Sequence, residues 1–196
     1  MKPRIAFLTG QSDPGRCALS PAQCATLDAL APHAGDVDLL PHNFPWAADT
    51  APWRAVPLLR ASVANGRQYL AAHRGDVPSL STPEREAARA HLLAAPRTLL
   101  LVGSCGLAVL DALIAPFDAT QRARLRAVSY GGVAPRWPAG IHGSQLRGRR
   151  DRIAAWLGPA DGPRPIAVDH GHMDYLGGNA VVEAARAHLA WLRGAA

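Results

Sequence analysis

The segment Thr98-Leu99-Leu100-Leu101-Val102 constrains this chain more than any other, because it has no polar face. A strand apolar on both sides needs cover on both sides. The middle of a parallel sheet packed between helices provides that cover. Directly after it, Gly103-Ser104-Cys105-Gly106 turns into Leu107-Ala108-Val109-Leu110, which reads as helix. The same alternation recurs along the chain. Arg4 to Thr9 is a short apolar run ending at Gly10, and Asp36 to Leu40 is a shorter, weaker strand. Leu125 to Tyr130, Ile141 to Leu146 and Arg164 to Val168 complete the strand set.

Helix signals fill the intervals. Ser20-Pro21-Ala22-Gln23 combines an N-cap, a proline at the first helical position and a capping box, and predicts a helix to about Leu30. Between Arg54 and His73, the residues Val56, Leu59, Arg60, Val63, Arg67 and Leu70 recur with helical spacing. Ser81-Thr82-Pro83-Glu84 starts another helix, which should end near Ala95-Pro96. A short helix is expected from Arg150 to Leu157, and Asn179 is placed to cap a final one, Ala180 to Arg193. Pro41 to Pro57, rich in Pro and Trp, reads as loop. The expected architecture is a single α/β domain over residues 1–196, a three-layer sandwich. Its mostly parallel central sheet has about five or six strands, with helices on both faces. In such sheets, functional residues gather at the carboxyl ends of the strands.

Composition excludes several alternatives. A chain of 196 residues can bury a core without disulfide or metal staples, and 48% hydrophobic with 18% charged residues is a globular balance. No run of about 18 apolar residues offers a membrane span. The opening Met1-Lys2-Pro3-Arg4 and its brief apolar sequel are too short for a signal peptide, so a soluble cytoplasmic protein is expected. Cys17, Cys24 and Cys105 lack the paired spacing of a zinc site or disulfide framework; Cys17 and Cys24 read as buried thiols. The net charge is +6, yet the basic residues are spread along the chain, and the densest run, Arg147 to Arg152, includes Asp151. Nucleic acid is therefore not an expected partner.

Three of the carboxyl-end loops carry the parts of a nucleophile, base and acid set. A tight strand-to-helix turn at Gly103-Ser104-Cys105-Gly106 pushes its apex side chain into the open. Ser104 is the apex if Gly106 is the small residue two positions on, and Cys105 N–H would then face a developing oxyanion. Gly148-Arg149-Arg150-Asp151 supplies a carboxylate, and Gly171-His172 an imidazole.

These features resemble the α/β-hydrolase superfamily, in its small, nearly capless form. The resemblance lies in the elbow around Ser104, the Gly-x-x-Asp ending at Asp151, the Gly-His at His172, and the order Ser, Asp, His. It implies hydrolysis of a small-molecule ester, thioester or amide through an acyl-enzyme, with no cofactor and no metal. It also implies a second oxyanion N–H from the loop after the first strand, which maps to Gln11. The elbow usually has a small residue two positions before the nucleophile, where this chain has Val102. Cys105 is the alternative nucleophile, with Gly103 before it but Leu107 where glycine is wanted.

Other readings of these residues stay open. Asp151 can simply cap the helix that follows. Asp169-His170-Gly171-His172-Met173-Asp174 contains His-x-His-x-Asp, as at the start of a binuclear zinc site, but Tyr175 stands where that motif wants a histidine. His170 reads otherwise as a surface or loop-bonded residue, and Asp174 as a turn cap or substitute acid. Phe44, Trp46 and Trp53 are either core or an apolar wall for an acyl group. A fold retained for binding without catalysis is the remaining alternative.

Overall fold

The computed structural model describes residues 1–13, 16–46, 51–77 and 80–194. Residues 47–50, part of the Pro41 to Pro57 stretch that reads as loop in the sequence, lie outside the described residues, as do residues 14–15. Strands β1 (Arg4–Thr9), β2 (Asp38–Asn43), β3 (Thr98–Gly103), β4 (Leu125–Tyr130), β5 (His142–Gly148) and β6 (Ile166–Val168) form one sheet in the order β2-β1-β3-β4-β5-β6. Every neighbouring pair of strands is parallel. The helices are α1 (Pro21–Ala34), α2 (Leu58–His73), α3 (Thr82–Ala94), α4 (Gly106–Leu113), α5 (Ala119–Ala123), α6 (Arg152–Leu157), α7 (Ala180–Arg186) and α8 (Leu189–Leu192). The three-layer α/β sandwich expected from the alternation is present. Among the described residues, no helix is long and apolar enough to cross a membrane.

β3 sits inside the sheet, and all six of its residues are buried. Its side chains alternate between two cores, as period-two geometry requires. Leu100 and Val102 join Ala6, Leu8, Leu107 and Leu110 on one face, while Leu99 and Leu101 join Ile5, Phe7, Leu30 and Val181 on the other. Truncating any of these leucines to alanine should cost about 2–5 kcal/mol. β2 tolerates Pro41 because it is an edge strand, and its register against β1 slips just there, Ile5 pairing with Leu39 but Phe7 with Asn43.

Several boundaries differ from expectation, each for a local reason. α1 continues through Pro32 to Ala34, since Leu30 and Ala34 both bury against the sheet. The final helix is two pieces: His188 N–H bonds back only three residues, to Ala185, as its ring turns inward. Asn179 does not cap α7 by its side chain, because its own backbone is already helical (φ −85°, ψ −6°). Cys24 is exposed rather than buried, on the outer side of α1.

The larger correction concerns α2. The apolar periodicity singled out in the sequence faces outward: Leu59 is 79% and Leu70 55% exposed. Ala61, Gln68 and Ala72 are buried instead.

The chain leaves β1 toward β2 on one side and later returns to place β3 on the other. The carboxyl ends of β1 and β3 therefore flank the switch point, the crevice where open parallel sheets bind ligands.

Candidate active site

Ser104 occupies the connection between β3 and α4 with φ +51°, and it is the one non-glycine with positive φ among the described residues. Such a conformation costs on the order of 1–3 kcal/mol and persists only where the surroundings enforce it. Here the Ser104 carbonyl is held by the N–H groups of Val133 (2.9 Å) and Leu107 (3.3 Å). The flanking glycines are steric necessities. A Cβ on Gly106 would run into the Leu8 carbonyl, and one on Gly103 into the Tyr130 ring. Val102 points into the core and is fully buried. The small residue on the strand side of this turn is thus Gly103, where a Cβ would meet Tyr130.

The turn brings Ser104 Oγ to 3.1 Å from His172 Nε2. His172 Nδ1 lies 3.1 and 3.0 Å from the two carboxylate oxygens of Asp151. Asp151 stands at the end of the turn after β5 and caps α6, accepting from Ala154 N–H at 2.9 Å. The cap and the imidazole contact coexist on the one carboxylate. Because a carboxylate only accepts, His172 carries its proton on Nδ1 and presents the Nε2 lone pair to Ser104.

Tyr175, 2% exposed, completes the arrangement. Its hydroxyl donates to Asp151 Oδ2 (2.8 Å) and accepts from Gly148 N–H (2.6 Å). Burial alone would push the Asp151 carboxyl up, but the bonds from Ala154, His172 and Tyr175 outweigh it and hold its pKa below the usual carboxylate value. The Tyr175 hydroxyl is pushed well above the ordinary tyrosine value, by burial first and by Asp151 second, so it stays a donor. Gly131 (φ +56°) and Gly148 leave room for this ring, since a Cβ at either would meet it.

Cys105 faces the other way. It is buried, its thiol donates to Gln68 Oε1 at 3.7 Å, and burial pushes its pKa up to about 12, so it is a neutral thiol. Gln68, 3% exposed on α2, grips the backbone of Gln11 at both ends: Gln11 N–H donates to Gln68 Oε1 and Gln68 Nε2 donates to Gln11 O, each at 2.8 Å. The Gln11 N–H expected to face an oxyanion is therefore bonded to a side chain of the protein. Gly10 is packed so closely against Cys105 and Asn65 that a Cβ there would collide with both.

Phe44 and Trp46 are 3% and 4% exposed, and Phe44 stacks on His91 at 5.9 Å. Neither has surface left for an acyl group; they are core. Trp53 is 44% exposed. His170 and Asp174 lie 4.0 Å apart, and Asp174 also pairs with Arg150 at 3.7 Å; it does not cap the turn after it. Among the described residues, no group of three or more His, Cys, Asp or Glu converges as metal ligands would.

Sequence reading missed Tyr175 and Gln68. In the sequence Tyr175 stands out only as the residue where a zinc motif wants histidine, although it lies three residues after His172. Gln68 carried no such signal, since a polar residue on the side of α2 opposite the apolar stripe reads as solvent-facing. Compared with known proteins, the chain matches no family model and no curated protein.

Proposed function

We propose that this chain is a serine hydrolase of the α/β-hydrolase type, cleaving an ester or thioester through an acyl-enzyme. One observation supports the reading above all others. A strained serine at the switch point lies in line with an imidazole whose far nitrogen rests on a buried, ionised carboxylate. In this reading His172 Nε2 takes the Ser104 proton as Oγ attacks the carbonyl carbon, and Asp151 stabilises the imidazolium that forms. Collapse of the tetrahedral adduct breaks the bond to the leaving group, which receives the proton from His172. Water then attacks the acyl-serine by the same route, releasing the acid.

The N–H of Cys105, at the start of α4, is the oxyanion donor this reading assigns first. Gln11 N–H can serve as the second only by exchanging Gln68 Oε1 for the oxyanion. The neutral, inward Cys105 thiol favours Ser104 over Cys105 as the nucleophile. A fluorophosphonate should label the wild type and Cys105→Ala but not Ser104→Ala. Loss of labelling in Cys105→Ala alone would transfer the role, and no labelling with no turnover of acyl esters would leave a binding protein.

A further inference from the structure

The outward face of α2 is unusual for a helix on an α/β domain, since Leu59, Val63 and Leu70 are exposed while, among the described residues, only the small Ala61 and Ala72 are buried with Gln68. Its inner residues, Asn65 and Gln68, press on Gly10 and Gln11. The next residue, Ser12, lines a groove of about 420 Å³ with Leu59, Val63 and Ala64, bordered by Arg60 and Arg67. That is within the size range of small-molecule pockets, roughly 300–1,000 Å³. The groove thus begins one residue beyond the Gln11 backbone and continues along α2. Arg60 and Arg67 are seven positions apart, about 10 Å along the helix axis. Among the described residues neither is paired with a carboxylate.

We infer that this groove binds the acyl chain of a substrate that also carries an anionic group, the chain lying on Leu59, Val63 and Ala64 and the anion meeting Arg60 or Arg67. This rests on the serine-hydrolase reading and names its substrate class. An apolar wall explains exposed leucine and valine that the core does not use. Guanidinium groups that no carboxylate of the described residues pairs with explain why the ligand is an acid rather than a neutral lipid.

The test compares 4-nitrophenyl butyrate, 4-nitrophenyl octanoate and the 4-nitrophenyl monoester of octanedioate. Wild type should favour the octanedioate monoester, then octanoate, then butyrate in kcat/KM. Val63→Asp, an exposed change that leaves the core intact, should erase the octanoate-over-butyrate preference, about tenfold and mainly in KM. Arg60→Ala/Arg67→Ala should erase only the preference for the carboxylate. Unchanged ratios in both variants, with fluorophosphonate labelling intact, overturn the groove and leave the hydrolase reading standing. Free octanedioate, titrated calorimetrically, needs no chemistry. Binding lost in Val63→Asp supports the groove even if Ser104 proves unlabelled. Self-association lost in Val63→Asp, with substrate ratios unchanged, makes the stripe an interface between copies and defeats the proposal.

Discussion

Among the described residues two serine–histidine pairs occur, and their difference is instructive. Ser104 meets His172 at 3.1 Å beyond the carboxyl end of β3, and Ser144 meets His188 at 3.0 Å near the amino end of β5. The two distances are the same to within a tenth of an ångström. What differs is the group on the far ring nitrogen. At His172 it is the Asp151 carboxylate, an acceptor; at His188 it is Arg126, 3.3 Å away and only a donor. Arg126 therefore requires a lone pair on Nδ1 of His188, which places the proton on Nε2, directed at Ser144. That imidazole has no lone pair left to take a serine proton. Burial first, and then the Arg126 charge, lower the His188 pKa, so the ring is neutral and serves as a bonded core group. Arg126 in turn lies over the Trp191 ring at 4.6 Å.

The sharpest way to break this comparison is to remove each hydroxyl. Ser104→Ala should abolish labelling and lower kcat by about four orders of magnitude or more, while Ser144→Ala should leave kcat within twofold. Comparable losses at both would mean that the far nitrogen does not decide the role. Exchanging the acceptor comes next. Asp151→Asn can still cap α6, but it offers His172 Nδ1 a donor as well as an acceptor, so kcat should fall about ten-thousandfold with the fold retained by circular dichroism.

Tyr175→Phe sharpens the comparison further. It removes a hydrogen bond to the ionised carboxylate, so the Asp151 pKa rises. Turnover should drop about tenfold and the acid limb of the pH–rate profile should move to higher pH. Loss of stability alone, with that limb unmoved, would reduce Tyr175 to packing. The buried Gly148 N–H also loses its acceptor, at about 1–3 kcal/mol.

The smallest effect is on the other pair. The lowered His188 pKa means the unfolded chain binds a proton that the folded one refuses. That contribution to stability is present above the unfolded value, about 6.5, and is lost as pH falls through the lower folded value. His188→Gln should therefore flatten the fall in Tm between about pH 7 and 5. It flattens it only in part, because the His91 pKa is lowered too, mainly by burial. Turnover should not change.

Residues that state their environment locally were legible in advance. Thr98 to Val102 announced a buried strand because its four residues from Leu99 to Val102 are all apolar and leave neither face polar, and Ser20 and Ser81 announced helix starts because their capping boxes are local chemistry. The Ser104, Asp151 and His172 triplet was legible because loops at strand ends share one rim whatever the distance along the chain. Legibility failed where a choice depends on the rest of the fold. Periodicity shows that Leu59, Val63 and Leu70 share a side of α2, but the side that faces inward carries Gln68, bonded to Gln11, and Ala72, packed in the core, and those contacts depend on distant residues. The bond between Tyr175 and Asp151 bridges two separate loops, and the tyrosine codes for nothing until the glycines at 131 and 148 admit its ring.

The central claim is that the partner on the far nitrogen gives His172 a lone pair aimed at Ser104 and denies one to His188. Nitrogen-15 NMR of the histidine rings, at a pH where both are neutral, measures this directly. The account predicts the proton on Nδ1 of His172 and on Nε2 of His188. The same tautomer at both, or a proton on Nε2 of His172, would contradict it.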